Sequence, residues 1–128
     1  MKKFGLLLAV VACCLPLAGC GNTTTTKEVA VFGPKADHGW TGAVLTYITE
    51  KAASLNKAQT KYKYVIYSHA DAEAQSNAVD DVLARKDNIA GIVIQPSSND
   101  SASTITKIAN SGIPFVQFDR TEQKEYHC

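Results

Sequence analysis

Beyond its first twenty residues this chain is short of cysteine, of long apolar runs and of any excess charge. Its four cysteines lie at positions 13, 14, 20 and 128, so Cys128 alone follows Cys20. One thiol makes neither an internal disulfide nor a cysteine metal cluster, which excludes a disulfide-stapled fold. Basic and acidic residues nearly cancel, 13 against 12. That balance argues against nucleic-acid binding, which needs clustered positive charge. There is no GxGxxG segment and no P-loop to cradle a nucleotide, and no HExxH pair for a metal. Ser68 lacks the Gly-x-Ser-x-Gly elbow that exposes a nucleophile. No cofactor and no metal is therefore expected, and a hydrolytic enzyme built on Ser68, His38, His69 and Asp119 is the weakest of the functional alternatives.

The apolar run that is present stands at the start. Lys2 and Lys3 precede Phe4 to Leu17, and small residues then lead to Cys20. A charged start, a short apolar stretch and a small-residue exit make a secretory signal. The stretch is shorter than the roughly 20 residues that span a bilayer comfortably. Leu17-Ala18-Gly19-Cys20 resembles the lipobox of bacterial lipoproteins, which implies cleavage before Cys20 and acylation of its thiol. The alternative is an ordinary signal peptide with an incidental cysteine. Buried acyl methylenes contribute about 0.8 kcal/mol each, so more than one chain anchors a protein stably. Losing Lys2 and Lys3 with residues 1–19 takes the 13 basic residues to 11 against 12 acidic, a net charge of −1. Residues 20–26, with four consecutive threonines, read as an acylated cysteine and a flexible tether. Residues 27–128 read as one globular unit.

That unit alternates strand and helix patterns. Val29 to Phe32 is a short continuous apolar run, as in a strand covered on both faces. Trp40, Ala43, Val44, Tyr47, Ile48, Ala52 and Leu55 recur at helical spacing. Tyr64 to Tyr67 is a second strand, and Asp71 is placed to cap a second helix carrying Ala74, Ala78, Val79, Val82 and Leu83. Ile92 to Ile94 is a third strand. Asp100 or Ser101 is the expected cap of a third helix with Ile105, Ile108 and Ala109, which Gly112 ends. Ile113 to Phe118 is a fourth strand. The expected fold class is α/β, a parallel sheet with helices on both faces.

In an open α/β sheet, ligands bind beyond the carboxyl ends of the strands. Four loops qualify: Asp37-His38-Gly39-Trp40, Ser68-His69, Gln95 to Asn99, and Asp119-Arg120. Their carboxylates, amide, guanidinium and imidazoles engage hydroxyls in pairs. An indole offers a plane for the apolar face of a sugar ring. The mixture suits a polyol.

Four stretches carry a family resemblance: Val29–Trp40, Ser68–Gln75, Gly91–Pro96 with its polar sequel, and Gly112–Arg120. The chain is similar to the N-terminal lobe of the ribose/galactose-type periplasmic binding proteins, the type I solute-binding family, and the match covers nearly all of residues 27–128. The resemblance implies capture of a sugar for an ABC permease by an exported protein anchored to the membrane through lipid, facing the periplasm or the cell exterior. It also implies that Asp119 accepts sugar hydroxyls and that Arg120 assists. His38 then stands where the family has an amide, Trp40 is the stacking ring beside Asp37, and Gln95-Pro96 replaces Asn-Pro. The alternatives are that Asp119 braces a strand end, Arg120 is a solvated charge, Trp40 belongs to the helix core, and His38 and His69 are ordinary loop residues. Delivery to a membrane sensor or chemoreceptor would use the same site. Relatives of this type have two lobes and exceed twice this length, so the expectation for these 128 residues alone is a partial lobe with impaired capture.

Overall fold

The computed structural model describes residues 25–37 and 39–120. Strand β1 (Lys27–Gly33) leads into helix α1 (Gly39–Ala58), then β2 (Tyr62–Ser68), α2 (Ala72–Leu83), β3 (Ile89–Ile94), α3 (Ala102–Asn110) and β4 (Phe115–Gln117). The four strands form one parallel sheet in the order β2-β1-β3-β4. The fold is α/β, as the sequence pattern predicts. Because β2 lies to one side of β1 and β3 to the other, the order reverses between β1 and β3. Connections diverge there and leave a crevice at the carboxyl ends of the strands.

One face of the sheet carries the main core. Ala30, Phe32, Ile92 and Ile94 point to it, and Val79 and Val82 from α2 meet Ile105 and Ile108 from α3. These side chains are almost fully buried, and each large one contributes roughly 1.5–3 kcal/mol by leaving water. Asp71 caps α2 as expected: its backbone is extended and its carboxylate accepts from the Ala74 N–H at 2.8 Å. Of the two expected caps of α3, Ser101 occupies the N-cap position but makes no side-chain cap bond, and Asp100 lies in the turn before it. A short 3₁₀ turn, Asn99–Ser101, precedes that helix, and Ser98 starts it with a reciprocal capping box to Ser101. Asp100 therefore does not cap. The serine three residues upstream of Ser101 satisfies the first free N–H groups because the tighter 3₁₀ turn moves the helix start back by one turn. Gly112 follows α3 with φ +78°, a left-handed conformation that ends the helix.

The other face is covered by α1 over β1 and β2. The packed seam of α1 is Val44, Leu45, Ile48, Ala52 and Leu55, whereas Ala43 and Tyr47, expected on the stripe, face outward. The helix is tilted so closely onto β1 that a Cβ on Gly33 would stand 2.4 Å from Ile48 Cδ1. Two amides of α1 and its exit close the outer edge of β2. Asn56 donates to the Tyr64 carbonyl and accepts from its N–H, and Gln59 does the same for Tyr62, all at 2.8–2.9 Å. An edge strand so occupied has fewer free groups for a foreign strand.

β4 is shorter than the expected Ile113 to Phe118. The Pro114 carbonyl accepts from the Ile92 N–H, and Phe118 donates to the Ile94 carbonyl, so pairing continues beyond the regular strand. Thr26, the last residue of the expected tether, donates to the Thr60 carbonyl at 3.1 Å. Cys20 and the expected signal segment lie outside the described residues.

At the buried face, Glu28 gathers Arg85 and Tyr67. The Arg85 guanidinium donates to both Glu28 oxygens at 2.6 and 3.1 Å, and the Tyr67 hydroxyl donates to Oε1 at 2.8 Å. Burial alone would raise the Glu28 pKa, but the Arg85 and Tyr67 hydrogen bonds and the Arg85 charge outweigh it and hold the carboxyl below its ordinary value.

Candidate functional site

The carboxyl ends of the four strands surround a cleft of about 320 Å³. Its wall includes Asp37 and Trp40 from the first loop, His69 from the second, Gln95 from the third, and Asp119 and Arg120 from the fourth. Five of the six ligand residues expected from sequence thus meet in one hollow. The sixth, His38, lies outside the described residues.

Each is held by local structure. Asp37 accepts from the Thr41 hydroxyl at 2.8 Å, which draws the first turn of α1 toward the loop. Trp40, in that same turn, is 57% exposed. It is not part of the helix core, and its indole plane is open beside the cleft. Gln95 is 5% exposed; its N–H donates to the Phe32 carbonyl at 2.9 Å, and its side-chain Nε2 donates to Asp119 Oδ2 at 2.8 Å. A carboxylate only accepts, so this bond fixes the amide orientation and leaves Oε1 as an acceptor. That Oε1 is buried with no partner among the described residues.

Asp119 has φ +70°, which few residues other than glycine adopt. Aspartate and asparagine tolerate it best. The turn is braced by the Arg120 N–H on the Phe118 carbonyl at 2.9 Å and by the Gln117 amide on the Arg120 carbonyl. The Arg120 guanidinium donates to the Ser97 carbonyl at 3.3 Å. A carboxylate and a guanidinium therefore stand side by side on a turn that the neighbouring loop supports from below.

His69 was not among the expected ligand residues, yet it lines the cleft. Its ring joins Tyr67 and Phe32 in an aromatic cluster, with centroids 6.4 and 6.1 Å away. Its Nε2 is buried without a partner among the described residues. Burial pushes the imidazole below its ordinary value, and Asp71 opposes that only in part. The ring is neutral at neutral pH. The signal for His69 was its place one residue past β2, at the end of a strand that the switch-point rule already nominated. Gln75 was also missed. Its Nε2 donates to the Gln95 carbonyl at 2.9 Å and its Oε1 accepts from the Ser97 N–H at 3.1 Å. A glutamine at the buried spacing of Val79 and Val82 was the readable sign, because a polar group in that stripe must find partners.

Two other hollows differ in chemistry. A trough of about 380 Å³ between α1 and the sheet is lined chiefly by Val31, Ile48, Leu55, Tyr64 and Val93, and holds none of the expected site residues. The third, of about 350 Å³, is an open dip near Thr26 and Lys63. Among the described residues no group of three His, Cys, Asp or Glu side chains is placed to hold a metal. The cleft offers two carboxylates, one guanidinium, the ammonium of Lys35, one buried amide oxygen, a neutral imidazole and an exposed indole. Such a set can hold a small polar molecule through hydrogen bonds and ring stacking.

Neither a curated protein nor a solved structure gives a significant match to the chain. One family does, and it is described as a periplasmic binding protein domain. Its match runs over residues 29–128, from the first apolar residue of β1 through every element of the sheet. With a small-molecule cleft at the switch point of that sheet, this chain belongs to the periplasmic binding protein domain family and to its solute-binding class.

Proposed function

We propose that this protein captures a sugar or similar polyol outside the cytoplasm for an ABC-type importer, held at the membrane by lipid on Cys20. The observation that carries the reading is the convergence of Trp40, Asp37, Gln95, Asp119 and Arg120 on one cleft. An exposed indole beside paired carboxylates and a guanidinium matches a ring with an apolar face and a rim of hydroxyls. Phosphorylated ligands fit poorly, because the wall is lined by as much negative as positive charge. The family is one of solute binding, and the extracytoplasmic location follows the same assignment.

Catalysis finds little support in the geometry. The Ser68 hydroxyl donates to the Pro34 carbonyl at 2.8 Å and so tethers the first loop instead of facing a base. The test is calorimetric titration of the protein with D-ribose, D-xylose, D-galactose and D-glucose, alongside an amino acid and a purine nucleoside. Saturable heat with one sugar, at a Kd roughly 30- to 150-fold weaker in Asp119→Asn, supports the reading. Heat with the amino acid or the nucleoside alone would replace it with a different solute. Anchoring is tested separately by radiolabelled palmitate, which wild-type protein incorporates and Cys20→Ala does not.

A further inference from the structure

We propose that Gln75 is a positioning residue, the buried end of an amide relay that fixes Asp119 and Arg120 although Gln75 itself is no part of the cleft wall. The relay begins in α2, where Gln75 is 1% exposed. Its side chain bridges the turn after β3 at two points, the Gln95 carbonyl and the Ser97 N–H. Between them Pro96 is fully buried and has no N–H of its own. The turn therefore has few backbone bonds of its own to hold it, and the Gln75 amide supplies two. From the same turn, Gln95 Nε2 runs on to Asp119 Oδ2, and the Ser97 carbonyl receives Arg120. Both polar groups of the fourth loop are thereby referred to one rigid helix in the core.

The chemistry explains why an amide stands there. A side-chain amide donates and accepts from two atoms of one planar group, and leaving a buried carbonyl or N–H unpaired costs about 1–3 kcal/mol. A sulfur or a methyl at position 75 would fill the space and leave both turn atoms unpaired. Asp119, in a left-handed backbone conformation, then loses its reference point on the β3 turn. The functional meaning rests on the cleft being the solute site, while the relay geometry stands without it.

Two arms test the relay. In the first, sugar affinity is measured for wild type, Gln75→Met, Asp119→Gly and the double variant, using the sugar that binds wild type in the titration panel. Acting through Asp119 and Arg120, Gln75→Met weakens binding about tenfold in the wild-type background and about threefold or less in Asp119→Gly, where only the Ser97–Arg120 arm remains. Equal losses in both backgrounds would overturn the relay and leave Gln75 a general stabiliser. The second arm needs neither ligand nor a core variant. In Asp119→Gly, which tolerates the left-handed turn and removes the acceptor of the Gln95 amide, hydrogen exchange of the Gln75 side-chain amide and the Ser97 N–H accelerates severalfold, while the Asn56 amide that clamps β2 keeps its rate. Unchanged exchange at Gln75 and Ser97 would overturn the proposal even if no sugar binds the wild type, an outcome that would instead sink the sugar reading.

Discussion

Asp119→Asn separates ligand chemistry from folding at the one strained position of the cleft. Asn has the size of Asp and tolerates φ +70° as well or better, so the turn keeps its shape. The Gln95 amide at 2.8 Å retains an oxygen to donate to, although the bond is no longer charge-assisted. Asp119 is exposed, and substitutions at such positions change stability by about 0.5 kcal/mol or less. Binding changes far more. Hydrogen bonds to a charged group contribute about 1.5–3 kcal/mol and neutral ones about 0.5–1.5. A carboxylate that accepts two ligand hydroxyls therefore loses roughly 2–3 kcal/mol, which is a 30- to 150-fold weaker Kd at about 1.4 kcal/mol per decade. Asp119→Ala is the informative contrast. A left-handed residue with a Cβ and no local hydrogen bond costs about 1–2 kcal/mol, so alanine lowers Tm as well as affinity. Calorimetric titration gives Kd and differential scanning calorimetry gives Tm. An unchanged Kd in Asp119→Asn would refute the assignment, and a large fall in Tm would show that the carboxylate braces the strand end.

Further predictions concern the frame of the cleft. Gly33→Ala destabilises by about 1 kcal/mol through overpacking, because the new Cβ meets Ile48 Cδ1 at 2.4 Å and the end of that side chain must turn away; a denaturant melt with unchanged stability would contradict that contact. Stability declines with acid in two separate windows. The His69 pKa is lowered in the folded state, so its contribution is complete above the ordinary value near 6.5 and is lost as the unfolded chain protonates below it. Glu28 is also lowered, so its contribution is present above about 4.3 and is lost as pH falls through the folded value. His69→Phe removes the first slope and Glu28→Gln the second in melts recorded against pH, and a slope that survives its substitution would refute the cause assigned to it. Trp40→Leu removes the indole plane at an exposed position and weakens sugar binding about tenfold with little change in Tm; a large Tm loss would return Trp40 to the core.

Much of this architecture is legible in the sequence, for physical reasons. Short apolar runs such as Ile92–Ile94 have no other place than a sheet covered on both faces, and Asp71 before an amphipathic stretch has one obvious use as a cap. The carboxyl-end loops follow from the alternation of strands and helices alone, which is why Gln95, Asp119 and Arg120 are legible as site candidates in the sequence. Three features were hidden because they depend on long-range geometry. The seam of α1 depends on how the helix lies against β1 and β2, and no local spacing tells the half-buried Leu45 from the exposed Tyr47. The Ser98 cap depends on a 3₁₀ turn that shifts the start of the third helix. The roles of Gln75 and His69 depend on what their polar atoms meet across the sheet: for Gln75 two backbone partners twenty and more residues away, and for His69 a buried nitrogen with none among the described residues.

The central claim is that the cleft at the switch point of this sheet receives a sugar. Trp40 is the only tryptophan in the chain and stands on the cleft wall. Its emission during titration with the four sugars therefore reports from the proposed site alone. The account predicts a saturable change in intensity or wavelength with one sugar, displaced to roughly 30- to 150-fold higher sugar concentration in Asp119→Asn. An emission spectrum indifferent to every sugar, from protein whose circular dichroism shows the α/β fold intact, would contradict it.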